Sequence, residues 1–146
     1  MRRSIIVACI AIVSGCATSY QPTSFFPGGF TETQLDTNVF RVTFRGNGDT
    51  KSERVEDLVL LRSAKLGIKN NFTHFAIVDA NAKQTYSTVN IPNSTSGGQT
   101  ILVTRPSATN TVVYFKSRPN LTGLVYDAKF LCDSLGKKYA VTCGTN

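Results

Sequence analysis

Two segments of the chain, 30–35 and 38–44, are predicted to be β-strands around a turn, and hydrophobic and polar residues alternate in the second. In the second segment Phe40, Val42 and Phe44 fall on one face. Alternation with a period of two places every second side chain on the same side of a sheet. The glycine- and asparagine-rich stretch that follows ends the second strand. This pattern predicts an N-terminal β-hairpin.

The spacing of apolar residues becomes helical after residue 49. Thr50 and Glu53 have the spacing of a capping box, in which the threonine hydroxyl accepts a hydrogen bond from the Glu53 backbone N–H. Asn70 and Asn71 suit a left-handed stop. We therefore predict a helix over 50–69. Its apolar residues form one broad stripe: Val55, Leu58, Val59, Leu61, Leu66 and Ile68.

The rest of the chain predicts further strands and a second helix. The strands are 73–79, which is nearly continuously apolar and therefore central in a sheet, 84–91, 100–104 and 111–116, and the helix is 126–136. The element order β-β-α-β-β-β-β-α is typical of an α+β fold. We expect one small domain with an antiparallel or mixed β-sheet and two helices packed on it.

The beginning of the chain has the pattern of an export signal. Arg2 and Arg3 precede an apolar run, 4–13, that is too short for a membrane span, which needs about 20 residues. The next residues, Val13–Ser14–Gly15–Cys16, resemble the lipobox of bacterial lipoproteins. This resemblance implies cleavage before Cys16, acylation of Cys16 and attachment to a lipid bilayer. The alternative is an ordinary signal peptide that happens to end near a cysteine.

These patterns divide the chain into a signal peptide (1–15), a lipidated cysteine with a flexible tether (16–29) and an α+β domain (30–146). The tether is predicted from its prolines, glycines and hydroxyl residues. Ala17, and not an aspartate, follows the cysteine. By analogy with enteric bacteria, this favours the outer membrane, with the domain facing the periplasm. The predicted location is therefore the cell envelope.

The chain is basic, with 16 lysines and arginines against 9 aspartates and glutamates. Apart from Arg2 and Arg3 of the predicted signal peptide, the excess lies beyond residue 80, where the only acidic residues are Asp127 and Asp133 and the basic ones are Lys83, Arg105, Lys116, Arg118, Lys129, Lys137 and Lys138. On an envelope protein this half suits contact with anionic lipid or another acidic polymer, and the alternative is a merely solvated surface. The charges form no basic helix and no finger motif, so no nucleic-acid partner is expected.

Cys132 and Cys143 remain once the signal peptide and the lipidated position are set aside. An isolated pair in an oxidising periplasm usually forms a disulfide, which here would join the C-terminal tail to the last helix. A redox pair and metal ligation are the alternatives. The spacing is not C-x-x-C, and no histidine lies nearby in the sequence. We predict a structural disulfide.

The candidate catalytic residues have simpler structural interpretations. His74 is the only histidine, and no nucleophile motif accompanies it. Glu53, Glu56 and Asp57 suit acid/base chemistry, but carboxylates near a helix start also stabilise the helix dipole. The sequence shows no metal-ligand spacing and no complete dinucleotide-binding glycine pattern. We therefore expect no enzyme, no cofactor and no metal.

Several motifs resemble a family of short uncharacterised proteobacterial lipoproteins. They are Gly28–Gly29–Phe30, Asn38-x-Phe40–Arg41–Val42, Phe44–Arg45–Gly46–Asn47, Thr50, Glu53–Arg54–Val55-x-Asp57, Leu60–Leu61–Arg62-x-Ala64, Phe72-x-x-Phe75-x-Ile77 and Tyr126–Asp127–Ala128. The resemblance implies a shared small fold and an envelope location. It also implies structural or binding positions at Arg54, Asp57 and Arg62, and the family has no assigned activity to carry over to this chain.

The leading hypothesis is a non-catalytic lipoprotein that binds or assembles with an envelope protein or an anionic envelope polymer. The first alternative is a hydrolase of an envelope polymer, which requires Glu53, Asp57 or His74 to line one open cleft. The second alternative is a structural or stress-response lipoprotein that needs no ligand.

Overall fold

The structure is a computed structural model, and it describes residues 17–23, 28–92 and 98–144. Within them it confirms the predicted α+β class. The elements are β1 (Gly29–Asp36), β2 (Val39–Arg45), α1 (Ser52–Lys69), β3 (His74–Ile91), β4 (Gln99–Phe115), β5 (Val125–Asp127) and α2 (Ala128–Tyr139). The five strands form one sheet in the order β1-β2-β4-β3-β5, and all neighbouring strands are antiparallel.

The hydrophobic core lies between the sheet and the helices. Phe40, Val42 and Phe44 are buried, as the alternation along β2 predicts, and they join the apolar stripe of α1. Tyr114 on β4 is 1% exposed, and its hydroxyl donates a hydrogen bond to the Ser63 carbonyl at 2.7 Å. Burial of one large apolar side chain contributes about 1.5–3 kcal/mol, so this cluster sets the position of α1 on the sheet.

The middle of the sheet differs from the prediction. The four strands expected there are joined in pairs, and the structure has two long strands instead. β3 continues through an expected break at 80–83, and β4 continues through one at 105–110. These two stretches contain no large apolar side chain, so their sequence shows no strand period. Pro106 lies beyond the end of β2, where β4 is an edge strand and tolerates proline. The short strand β5 has no counterpart in the prediction.

Helix α1 begins later than the capping box predicts. Its first residue is Ser52 and its N-cap is Lys51, which makes no side-chain cap. Thr50 is buried, and its hydroxyl accepts a hydrogen bond from the Thr18 backbone N–H at 3.0 Å. The predicted capping box is therefore wrong, because the Thr50 hydroxyl bonds to the N-terminal segment and does not cap α1. The predicted left-handed stop is confirmed at Asn71, which has a φ of 62°.

Residues 17–23, which the sequence assigns to a flexible tether, lie against the domain in the structure. Thr18 is buried, and the Tyr20 ring packs on Phe30 with 5.0 Å between centroids. The Phe30 backbone N–H donates to the Gln21 carbonyl at 2.8 Å. The structure therefore differs from the predicted tether over these residues, because buried hydrogen bonds and an aromatic contact hold them in place.

The predicted disulfide is confirmed, since the sulfurs of Cys132 and Cys143 are 2.02 Å apart. Cys132 lies in α2 and is fully buried. After α2 the chain turns back at Ala140, which has a φ of 54°, and the Val141 backbone N–H donates to the Gly136 carbonyl at 2.9 Å. The disulfide therefore holds the described end of the chain against α2.

Candidate functional site

Part of the sheet face that points away from the helices is polar. Along β2, positions 41, 43 and 45 alternate with the buried core residues and therefore point outwards. The register of the sheet extends them into three rows across β2, β4 and β3: Arg41–Thr111–Asp79, Thr43–Thr109–Asn81 and Arg45–Ser107–Lys83. Three cations and a set of hydroxyl and amide groups thus share one surface.

This surface forms an open groove of about 350 Å³, which we call the cationic groove. Its lining residues are Arg41, Thr43, Arg45, Asp79, Asn81, Lys83, Ser107 and Thr109. Asp79 is the single carboxylate among them. Within the described part of the chain, the ion pairs involve none of the three cations of the groove. The groove therefore has positive charge that its own lining does not neutralise.

The groups of the cationic groove suit an anionic, hydroxyl-rich ligand. A guanidinium presents a planar fork that binds a carboxylate or a phosphate with two hydrogen bonds. The hydroxyls of Thr43 and Thr109 are 2.9 Å apart, and each hydroxyl can both donate and accept hydrogen bonds.

Sequence reasoning missed this site for a geometric reason. It assigned the basic excess to the half of the chain beyond residue 80, whereas Arg41 and Arg45 come from β2. Only the pairing of β2 with β4, and of β4 with β3, brings Lys83 beside them. The available signal was the alternation of β2, which places both arginines on the side opposite the phenylalanines.

Arg54 and Asp57, singled out by the family resemblance, lie outside the groove and join three parts of the domain. Arg54 Nε is 3.4 Å from the Thr18 carbonyl oxygen, and its guanidinium lies 5.0 Å from the Tyr139 ring centre. The Asp57 carboxylate accepts hydrogen bonds from the Tyr139 hydroxyl at 2.6 Å and from Lys138 Nζ at 2.7 Å. These contacts connect α1 to α2 and to the N-terminal segment.

The same cluster alters two pKa values. The carboxylates of Asp57 and Glu53 raise the pKa of Lys138 above its usual value. Burial raises the pKa of Tyr139, and its hydrogen bond to Asp57 acts in the same direction. Both groups are therefore held in their protonated forms, which suits a structural contact between the helices.

Arg62, the third residue that the resemblance singles out, forms an ion pair with Glu32. Its guanidinium donates to both carboxylate oxygens of Glu32, from Nε at 2.9 Å and from Nη2 at 3.0 Å, and lies 4.0 Å from the Phe30 ring centre. Burial disfavours its charge, but the combined influence of Glu32 and Tyr20 outweighs burial, and the pKa of Arg62 is raised. Arg62 thus ties α1 to β1.

The three residues of the hydrolase hypothesis do not all lie together, because Glu53 and Asp57 both accept hydrogen bonds from Lys138 Nζ whereas His74 lies elsewhere. Asp57 contacts Tyr139 at the end of α2, whereas His74 lies near Asp127 at the start of α2, with 3.9 Å between His74 Nε2 and Asp127 Oδ2. At 1.5 Å per residue, those two ends are about 18 Å apart. Among the described residues, no group of three or more potential ligands is placed to hold a metal ion.

The predicted lipidation site, Cys16, and the predicted signal peptide lie outside the described residues. In the ranges that the structure does describe, no helix is both long enough and apolar enough to cross a membrane.

Comparisons with models of known protein families, with curated proteins and with solved structures found no match for this chain.

Proposed function

We propose that this chain is a lipoprotein of the cell envelope, anchored at Cys16 in the outer membrane, whose domain binds an acidic polysaccharide without catalysis. The cationic groove is the observation that carries the binding part of the proposal. The anchoring part rests on the lipobox-like sequence before Ala17 and on the charged and apolar pattern of the preceding residues.

The disulfide supports a location outside the cytoplasm. Disulfides form and persist in oxidising compartments such as the bacterial periplasm, and they are rare where thiols are kept reduced. Cys132 and Cys143 have the geometry of a bonded pair. An exported domain would therefore form this disulfide and keep it oxidised in the periplasm.

The groove supports an acidic polysaccharide over a neutral one. Arg41, Arg45 and Lys83 provide charge at a spacing that the sheet fixes, and Asp79 offsets only part of it. The hydroxyls between the cations, Thr43 and Thr109 among them, can exchange hydrogen bonds with sugar hydroxyls. Because these cations are carried by a sheet and not by a loop, ligand binding does not include the entropic cost of ordering the backbone.

The test measures binding of the mature protein to polygalacturonate, a carboxylated polysaccharide, with neutral dextran as the reference polymer. We expect binding to polygalacturonate that weakens as ionic strength rises, because salt screens exposed charges. Replacing Arg45 by Gln removes one charge-assisted contact. We expect this variant to lose about 1.4 kcal/mol of binding free energy, which corresponds to about tenfold weaker binding.

The matched control is Lys116→Gln, which removes an equal charge from the exposed residue directly after β4. Lys116 lies nine positions from Ser107 in the row of Arg45, which is about 30 Å along an extended strand, and five positions, about 17 Å, from Thr111 in the nearest row of the groove. Binding through the groove leaves this variant unchanged. Equal losses for Arg45→Gln and Lys116→Gln, or equal binding of dextran and polygalacturonate, would contradict the proposal.

A further inference from the structure

The outer half of the β3–β4 hairpin projects beyond the rest of the sheet. We call this part the arm, and it comprises Gln84–Ile91 of β3 and Gln99–Thr104 of β4. Its strands pair only with each other, because β2 ends opposite Ser107 and β5 pairs with positions 74–76 of β3. Eight residues of strand extend about 27 Å. A two-stranded hairpin of this kind has marginal stability without a partner surface.

The arm also lacks the charges that usually protect exposed strands. No aspartate, glutamate, lysine or arginine occurs between Lys83 and Arg105. The large apolar side chains exposed on the arm are Tyr86 (61%), Val89 (44%), Ile91 (46%), Ile101 (41%) and Leu102 (63%). Soluble proteins commonly place charges on open strand edges to prevent association. Lys83 and Arg105 flank this uncharged, apolar arm where its two strands join the rest of the sheet. An arm of this kind is suited to a membrane interface, where the cations contact lipid phosphates.

The arm leaves the domain at the N-terminal end of α1. The Gln84 side chain donates a hydrogen bond to the Ser52 hydroxyl at 2.9 Å, and Ser52 is the first residue of that helix. Ala17 lies at the same end, where it shares a surface groove with Lys51 and Arg54. The bonds of Thr18 to Thr50 fix this position. Cys16 is joined to Ala17 by one peptide bond, so lipid on Cys16 would start at the end of the domain from which the arm projects.

We infer that the arm lies in the interfacial region of the bilayer that holds the lipid anchor and is a second membrane contact of this protein. The inference rests on the proposed anchoring at Cys16. The arm does not span the bilayer, because its open strand edges carry backbone groups that hydrocarbon cannot satisfy. Lipid headgroups and interfacial water can satisfy them, while Leu102 and Tyr86, which lie on one face of the arm, contact the upper acyl chains.

The experiment uses the fact that the chain contains no tryptophan. Leu102→Trp places the only tryptophan of the protein on the arm, and Leu124→Trp is the matched control. Leu124 is 68% exposed and directly precedes β5, which pairs with the opposite end of β3. Each lipidated variant is reconstituted in vesicles of phosphatidylethanolamine and phosphatidylglycerol that contain a nitroxide-labelled lipid.

We expect the emission of Leu102→Trp to shift to the blue and to be quenched several-fold more strongly than that of Leu124→Trp. Equal quenching of the two variants would overturn the inference. A blue shift of Leu102→Trp that appears without vesicles and grows with protein concentration would also overturn it, because the arm would then pair with a second copy of the chain.

Failure of the anchor is distinguished from failure of the arm by the mass of the purified protein. An unmodified Cys16 contradicts the proposed anchoring. The Cys16 thiol is then coupled to a maleimide lipid, and the same quenching comparison decides whether the arm meets the bilayer.

Discussion

The contact between Arg62 and Glu32 predicts a measurable coupling between α1 and β1. The two residues are 30 positions apart in the chain, and their side chains are 14% and 30% exposed. The guanidinium donates two parallel hydrogen bonds to the carboxylate and also covers the Phe30 ring. We therefore expect Arg62→Leu to destabilise the domain much more than removal of a charge on an open surface.

The magnitude follows from the geometry. Hydrogen bonds to charged groups contribute about 1.5–3 kcal/mol, and a partly exposed cation over an aromatic ring contributes about 0.5–1 kcal/mol. Because both carboxylate and guanidinium retain some contact with water, we expect the lower part of this range, about 2 kcal/mol, for Arg62→Leu. Arg62→Lys keeps the charge but loses the fork, so we expect a loss of about 1 kcal/mol.

The assay is urea unfolding followed by circular dichroism for the wild type, Arg62→Leu, Glu32→Gln and the double variant. We expect a coupling energy of about 1 kcal/mol or more from this cycle. The matched control is the same cycle for Lys129 and Asp133, an exposed pair 2.7 Å apart within α2. Pairs of that kind couple by about 0.3–0.5 kcal/mol. Equal coupling in the two cycles would refute the argument that bidentate geometry and burial make the Arg62–Glu32 pair stronger.

Three further predictions concern the disulfide, Tyr114 and Gly29. Cys143→Ala opens a loop whose cysteines are 11 positions apart, so we expect a loss of about 3 kcal/mol in urea unfolding, and dithiothreitol should lower the stability of the wild type but not of the variant. Burial raises the pKa of Tyr114, so the folded protein keeps this phenol neutral while the unfolded chain ionises it. Stability should therefore fall above about pH 10, and Tyr114→Phe should have a shallower alkaline slope. If both proteins lose stability at the same rate, Tyr114 is not the titrating group. Gly29 has a φ of 115°, and a Cβ there would overlap the Gln21 carbonyl oxygen. Gly29→Ala should cost about 1–3 kcal/mol and speed proteolysis within residues 17–23, and unchanged cleavage would contradict the described docking.

The parts of the fold that are predictable from sequence are those with a strong local period. β2 alternates over its whole length, and α1 carries a continuous apolar stripe, so both are found at nearly the right positions. The pairing of Cys132 with Cys143 is also predictable, because few cysteines remain once the N-terminal positions are assigned. In each case the information lies within a short stretch of chain.

The features that sequence reasoning missed depend on contacts between distant residues. Thr50 has the spacing of a capping residue, but its hydroxyl is taken by Thr18, which is 32 positions away. The same holds for the cationic groove, where sheet register brings Arg45 beside Lys83 through Ser107. A local pattern contains no information about which strand will lie next to β2, so these contacts appear only when the sheet is assembled.

The most direct test of the account is the mass of the N-terminal peptide of the protein isolated from native membranes. We predict that this peptide begins at Cys16 and carries a diacylglyceryl group on its sulfur and an acyl group on its amine. A peptide that retains any of residues 1–15, or that begins with an unmodified cysteine, would contradict the proposed anchoring of this domain in the envelope.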